Sequence, residues 1–219
     1  MKLDTQDGCE SYTPERWQLL VKRGFDLLIS ICMFVVLFPT YLIIAILIKL
    51  DSRGPVIYRD KRLCKSGNTF DCLKFRTMVL GNEAILKAYL KDNPIARQHW
   101  SIIRKLPNDP RVTRIGRILR KTGFDEIPQF FNIIRGEMSL IGPRPFIMKE
   151  WPDLERHAVV IFSVRPGLIG TWLANGRNEN TFSERIQLEL DYVRGWSLKT
   201  DLLIFCKCII PIFTERGAQ

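Results

Sequence analysis

Residues 27–48 read LLISICMFVVLFPTYLIIAILI, an uncharged run in which Ser30, Pro39 and Thr40 alone fall outside the apolar set. As one unbroken helix, these residues would rise about 33 Å, enough to cross a hydrocarbon core of about 30 Å. Pro39 interrupts the run near its centre. A proline there removes one backbone N–H, frees the carbonyl of Val35 and kinks the helix. Thr40 can take up part of the freed polarity. Basic residues flank both ends, Lys22 and Arg23 before the run and Lys49 and Arg53 after it. Cytoplasmic loops carry the basic excess of membrane proteins. A straight span therefore suits one flank, whereas a kinked hairpin returning to the same face suits both. The run by itself leaves span and hairpin open.

Outside this segment the composition is that of a folded protein. The chain has 219 residues, 46% hydrophobic and 26% charged, which excludes a disordered, collagen-like or low-complexity chain. The net charge is +10. Residues 1–21 hold Lys2 and Arg16 against Asp4, Asp7, Glu10 and Glu15, so the basic excess falls on Lys22 and beyond. That part should seek anions, whether lipid phosphate, nucleotide or nucleic acid. The cysteines Cys9, Cys32, Cys64, Cys72, Cys206 and Cys208 have no zinc-site spacing, and His99 and His157 are the two histidines. Reduced thiols in a cytosol-facing protein are the expectation. The acidic residues before the apolar run, its length and the lack of an A-x-A site argue against a cleaved signal peptide.

The remainder reads as an α/β chain, mostly α with a few short strands. Extended pieces are expected at Val56–Tyr58 and Phe70–Met78, with helices over 82–106 (broken at Asn93-Pro94), 151–162, 183–196 and 198–213. The last is too charged to span and suits an interfacial or core helix. Three segments are expected: a polar tail 1–21, a membrane helix 22–50 kinked at Pro39, and one compact domain 51–219.

The chemistry concentrates between Asp109 and Pro145. Arg111, Arg114, Arg117 and Arg120 with Lys121 recur at steps of three, along one side of a helix. Then comes TGFDEIPQFFNIIRG, residues 122–136. Gly136 suits a helix C′ position and Pro128 a first turn, so a helix should begin near Asp125 or Glu126. The two carboxylates read either as an N-cap and a first-turn acid or as functional groups where the dipole receives a phosphate. In the second reading, one carboxylate, kept ionised by the dipole and the cations, attacks phosphorus, and its neighbour helps hold Mg²⁺. Gly142-Pro143-Arg144-Pro145 is a rigid turn that fixes an arginine fork suited to phosphate oxygens, and Lys74 and Arg76 add two cations. No P-loop, G-x-G-x-x-G or G-x-S-x-G occurs.

In their order along the chain, these residues resemble the bacterial sugar transferases, the monotopic polyprenyl-phosphate phosphoglycosyl transferases. The resemblance rests on Lys22-Arg23-x-Phe25-Asp26, the apolar run, Lys74-Phe75-Arg76-Thr77-Met78, Asp109-Pro110-Arg111-Val112-Thr113, Asp125-Glu126-x-Pro128-Gln129, Gly136-Glu137-Met138-Ser139, Gly142-Pro143-Arg144-Pro145 and Arg165-Pro166-Gly167. It covers about residues 20–219. Gly176-Arg177-Asn178, Asp191-Tyr192 and Arg194-x-Trp196-Ser197 are similar to the branch that initiates exopolysaccharide or O-antigen repeats, often with galactose or glucose 1-phosphate.

The resemblance implies a re-entrant helix in the bacterial inner membrane, with a compact catalytic domain and interfacial amphipathic helices on the cytoplasmic face. It implies transfer of a sugar-1-phosphate from a UDP-sugar to undecaprenyl phosphate through a phosphosugar on Asp125, with release of UMP. Asp125 and Glu126 would be catalytic and would hold Mg²⁺. Lys74, Arg76, Arg111, Arg120, Arg144, Arg177 and Asp191 would bind substrate. No nucleic acid is expected as a partner, and a homodimer is left open. Phe38-Pro39-Thr40 and the loop Gly167–Gly176 (GLIGTWLANG) depart from the commoner family pattern, and the loop's departure leaves the sugar open. A membrane-attached module that recruits anionic lipid or nucleic acid, or a scaffold without activity, is the alternative.

Overall fold

A computed structural model describes residues 15–103, 106, 108–174 and 181–213. Its elements are helix α1 (Arg16–Asp51), strands β1 (Ile57–Leu63) and β2 (Thr69–Phe75), helices α2 (Asn82–Asp92), α3 (Pro94–Ile103), α4 (Arg114–Thr122) and α5 (Gln129–Arg135), and strand β3 (Ser139–Ile141). Helices α6 (Trp151–Leu154) and α7 (Ala158–Ile161), strand β4 (Gly167–Ile169), and helices α8 (Thr171–Ala174), α9 (Phe182–Arg194) and α10 (Leu198–Phe213) complete them. The mostly helical α/β character expected from the sequence is present. The break between α2 and α3 falls at Asn93-Pro94, since proline cannot continue the hydrogen-bond ladder.

Helix α1 runs 36 residues, beginning ahead of the apolar run and containing Pro39. It is long and apolar enough to cross a membrane. Val35, Val36, Leu42, Ile43, Ile46 and Leu50 are exposed along it. A soluble helix rarely leaves so contiguous an apolar surface uncovered.

The chain forms two compact units. One comprises residues 1–31, 61–71 and 132–219. Its core gathers Leu63, Phe146, Leu154, Ile161, Phe162, Ile186 and Leu190, with Trp151 stacked on Phe162 at 5.8 Å. Strands β3 and β4 pair in parallel, Ser139 with Gly167 and Ile141 with Ile169. Only glycine fits where they meet: a Cβ on Gly167 would lie 2.1 Å from the Gly142 nitrogen. The Gly-Pro-Arg-Pro and Arg-Pro-Gly motifs thus touch backbone to backbone.

The first turns of α1 are fastened within this unit by polar side chains. Asp26 accepts hydrogen bonds from Ser139 Oγ (2.8 Å) and the Leu140 N–H (2.9 Å). Lys22 donates to the Ile141 carbonyl (2.8 Å) and to Asp201 (2.5 Å), and Arg23 to the carbonyls of Ile133 (2.7 Å) and Ile134 (3.0 Å). Asp201 also accepts from Tyr192 Oη and Trp196 Nε1. The basic pair before the apolar run, Lys22 and Arg23, is therefore engaged by the protein itself.

The second unit comprises residues 32–60 and 72–131. Ile44, Ile48, Phe75, Leu119 and Ile127 form its core, with Tyr41, Val56, Ile115 and Phe130 packed around them. Tyr41 meets Phe75 at 4.7 Å and Phe34 meets Phe131 at 4.7 Å. The apolar helix thus presents one face to this core while the other stays exposed. Asp51, its last residue, accepts the Ile115 N–H at 3.0 Å.

Candidate active site

Two motifs far apart in sequence are zipped together in the second unit. Met78 bridges Val112, the Thr113 N–H donates to the Thr77 carbonyl (3.0 Å), and the Val79 N–H donates to the Arg111 carbonyl (3.0 Å). Thr113 then caps α4, its hydroxyl accepting the Gly116 N–H at 2.9 Å. Helix α4 ends at Gly123, whose φ of +74° turns the chain toward Phe124.

Asp125 and Glu126 follow at once, in a 3₁₀ turn over Phe124–Glu126 rather than in the first α-helical turn expected from the sequence. Pro128 explains the difference. It has no N–H to return to the Phe124 carbonyl, which instead accepts from Ile127 at 3.3 Å, and regular α-helix starts only at Gln129. Helix α5 has seven residues and ends at Arg135, with Gly136 beyond it at φ +83°, as its composition predicts.

Two cations bracket the carboxylate pair. Lys74 Nζ bonds Glu126 Oε1 at 2.9 Å, and both side chains are partly buried. Arg120 lies close enough for its charge to act on Asp125, and its Nε donates to Thr77 Oγ1 at 2.9 Å. Burial pushes the Asp125 carboxyl above its usual range, and the neighbouring Glu126 charge adds to this, whereas Lys74 and Arg120 pull it down. Desolvation thus outweighs the two cations in setting the direction of the shift.

Two expected phosphate ligands are held by other protein groups. Arg76 is 5% exposed, and its guanidinium donates to the carbonyls of Ser52 (2.8 Å) and Arg53, closing the turn after α1. Arg111 precedes α4 instead of joining its arginine row. It forms a fork on Asp109, Nε to Oδ1 at 2.8 Å and a second nitrogen to Oδ2 at 2.6 Å, while Trp100 lies 5.1 Å from its Cζ. Asp109, to which the sequence reading gave no role beyond its place in the motif, also accepts the Arg111 N–H at 3.0 Å. That two-residue spacing was a legible turn signal. Arg114 and Arg117 are exposed on α4.

The model of the family "Bacterial sugar transferase" matches residues 17–215. The chain belongs to this family. It is 42% identical over 197 residues to the exopolysaccharide production protein ExoY of Sinorhizobium fredii, covering 90% of this chain and 87% of that one. The undecaprenyl-phosphate galactose phosphotransferase of Salmonella typhimurium is 37% identical over 207 residues, 93% of this chain and 43% of its own length. The undecaprenyl-phosphate glucose phosphotransferase of Komagataeibacter xylinus is 37% identical over 213 residues, 92% of this chain and 37% of its own.

Two further expected site residues of this sugar transferase, Arg144 and Asp191, lie in the other unit. Arg144 is partly buried, with a nitrogen 3.4 Å from Glu150 Oε1 and its Cζ 5.8 Å from the Phe146 ring centre. Asp191 is exposed on α9, where it accepts from Gln187 at 2.8 Å. Arg177 lies outside the described residues. Among the described residues, no group of three or more His, Cys, Asp or Glu is arranged to hold a metal ion.

Proposed function

We propose that this sugar transferase moves a sugar-1-phosphate from a UDP-sugar to undecaprenyl phosphate in two steps through Asp125. The observation that carries the reading is the desolvated Asp125 carboxyl beside Glu126, with Lys74 and Arg120 bracketing the two, in the same unit as the exposed apolar part of α1. A carboxyl removed from water is a better nucleophile once ionised. In the first step, an Asp125 oxygen forms a bond to the β-phosphorus as the bond to the bridging oxygen breaks, and the electron pair leaves with UMP. In the second, a phosphate oxygen of undecaprenyl phosphate bonds that phosphorus, and the Asp125 carboxylate departs. Glu126 takes any proton the acceptor phosphate still carries. Lys74 and Arg120 supply fixed positive charge for the phosphoryl oxygens.

Mg²⁺ fits the donor set. Two adjacent hard carboxylates, with the Glu126 charge opposing ionisation of Asp125, suit a cation that takes one or two carboxylates plus substrate phosphates. Asp125 and Glu126 would hold it, and when bound it neutralises diphosphate charge. UMP release by nanodisc-held protein, with undecaprenyl phosphate and a panel of UDP-sugars, tests the reading. Release with one donor, stopped by EDTA and restored by Mg²⁺, is expected; silence with every donor would overturn it.

Helix α1 is read as re-entrant, with the catalytic units on the cytoplasmic face. The exposed apolar surface supports a seat in the membrane, and the internal Pro39 supports a return to the same face. Leu20→Cys and Leu50→Cys, each in a background without other reactive thiols, should both label with an impermeant maleimide from the cytoplasmic side alone. Labelling of Leu50→Cys from the opposite side would make α1 a span. Pro39→Ala should shift part of the population toward that outcome.

A pH profile tests the nucleophile. Asp125 must be ionised to attack, so kcat/KM falls as pH drops through its raised pKa, above the usual aspartate value of about 3.9. Lys74→Met removes the cation that most favours the ionised form, so the acid limb should move to higher pH, alongside a lower plateau. An unmoved limb would mean that another group controls it.

A further inference from the structure

The arginine row around α4 is divided by the structure. Arg111 stands ahead of the helix, locked on Asp109, and the Arg120 Nε donates to Thr77 Oγ1. Arg114, Arg117 and Lys121 remain exposed, and the chemistry at Asp125 uses none of them. A helix advances about 100° per residue, so Arg117, Lys121, Arg114 and Ile118 follow one another around an arc of about 100°. Gly116 and Leu119, the buried residues of α4, lie on the opposite side. Ile118 is 59% exposed. Three cations thus surround one isoleucine along about 10 Å of helix. Helix α4 contains no acidic residue to neutralise them.

Helix α1 fixes where this face lies. Asp51, the last residue of α1, accepts the Ile115 N–H at 3.0 Å, and the apolar run ends three residues earlier, at Ile48. The first turn of α4 is therefore held at the level where α1 leaves the apolar run, whether α1 spans or returns. Leu50 is exposed there, and Lys49 and Arg53 add exposed cations. These residues and α4 belong to the second unit. The exposed apolar surface of α1 thus continues into a cationic one. A bilayer offers the matching order, hydrocarbon and then phosphate. Nucleic acid would meet the same charge but gives no reason for that charge to adjoin an apolar helix.

We propose that the exposed face of α4, together with Lys49 and Arg53, binds the phosphates of anionic lipid headgroups and gathers such lipids around the end of α1. This rests on the membrane seat of α1 and is independent of the chemistry at Asp125. Each basic side chain at an anionic surface favours the contact by about fivefold, so three act strongly together. The interaction is between exposed charges and weakens as salt screens them.

Lipid quenching of a fluorophore on this face tests the proposal. Ile118→Cys, in the full-length protein without other reactive thiols, carries the fluorophore. The protein is held in phosphatidylcholine nanodiscs containing a small, fixed fraction of lipid spin-labelled near its headgroup. Quenching by spin-labelled phosphatidylglycerol should exceed quenching by spin-labelled phosphatidylcholine by about threefold or more. Arg114→Gln, Arg117→Gln and Lys121→Gln together should make the two equal. Lys87→Gln, Lys91→Gln and Arg97→Gln remove as many exposed cations from α2 and α3 and should leave the difference in place. High salt should abolish the difference without any of these charge substitutions, so the result does not hang on the folding of one variant. Equal quenching by the two lipids at low salt, a difference that survives high salt, or a control as impaired as the α4 variant would overturn the proposal. An oligouridylate that binds the protein in discs of phosphatidylcholine alone, displaces the anionic lipid and loses binding in the α4 variant would assign the face to nucleic acid instead. Protein that fails to stay with discs of either lipid would show the seat of α1 itself to be wrong, and the proposal would fall with it.

Discussion

Asp125→Asn is expected to abolish turnover, lowering UMP release by at least about three orders of magnitude, if Asp125 is the covalent nucleophile proposed above. The amide is nearly isosteric, so packing around the 3₁₀ turn is kept. It also removes a carboxyl that burial and Glu126 already disfavour in its charged form. Thermal stability should therefore be unchanged or slightly raised, which separates lost chemistry from lost fold. The complementary observation is the intermediate. Wild type given donor without undecaprenyl phosphate should gain the mass of a phosphosugar, and Asp125→Asn should gain nothing. Turnover above about a tenth of wild type in the mutant would sink the covalent scheme.

Gly116→Ala should cost about 2 kcal/mol or more of stability, against the sign that helix propensity alone would give. Within a helix, alanine is favoured over glycine by about 1 kcal/mol. Here the added Cβ would lie 2.1 Å from the Thr77 carbonyl oxygen and 2.8 Å from its carbon. Both atoms are backbone, so no side chain can rotate away. The strain of overpacking, about 1–3 kcal/mol and occasionally more, falls on the contact that zips residues 77–79 to residues 111–113. Displacing that zipper moves Thr77 from Arg120 and so disturbs one of the cations beside Asp125. A lower midpoint in thermal unfolding, together with reduced UMP release, is expected. A midpoint at or above wild type would mean that α4 does not pack on Thr77 this closely.

Several features were legible because they are local. An uncharged run of 22 residues is long and apolar enough for a membrane whatever surrounds it. The break at Asn93-Pro94 and the glycine after α5 follow from backbone chemistry at single residues. The order of motifs identified the family, and the match over residues 17–215 agrees with it. The arginine row was legible only as spacing. Its periodicity predicted a helix but could not tell that Arg111 stands before it, locked on Asp109.

The sequence by itself determined the apolar helix, the adjacent Asp125 and Glu126, and the rigid turns built by glycine and proline, since each depends on residues within one or two turns of chain. Tertiary structure alone decided what those groups experience. It set Lys74 on Glu126 across 52 positions and spent Arg76 on the carbonyls of Ser52 and Arg53. It raised the Asp125 carboxyl by burial and hid Glu189 completely. Desolvation and Coulomb attraction act through space, on atoms the chain supplies from distant positions, so no local pattern encodes them.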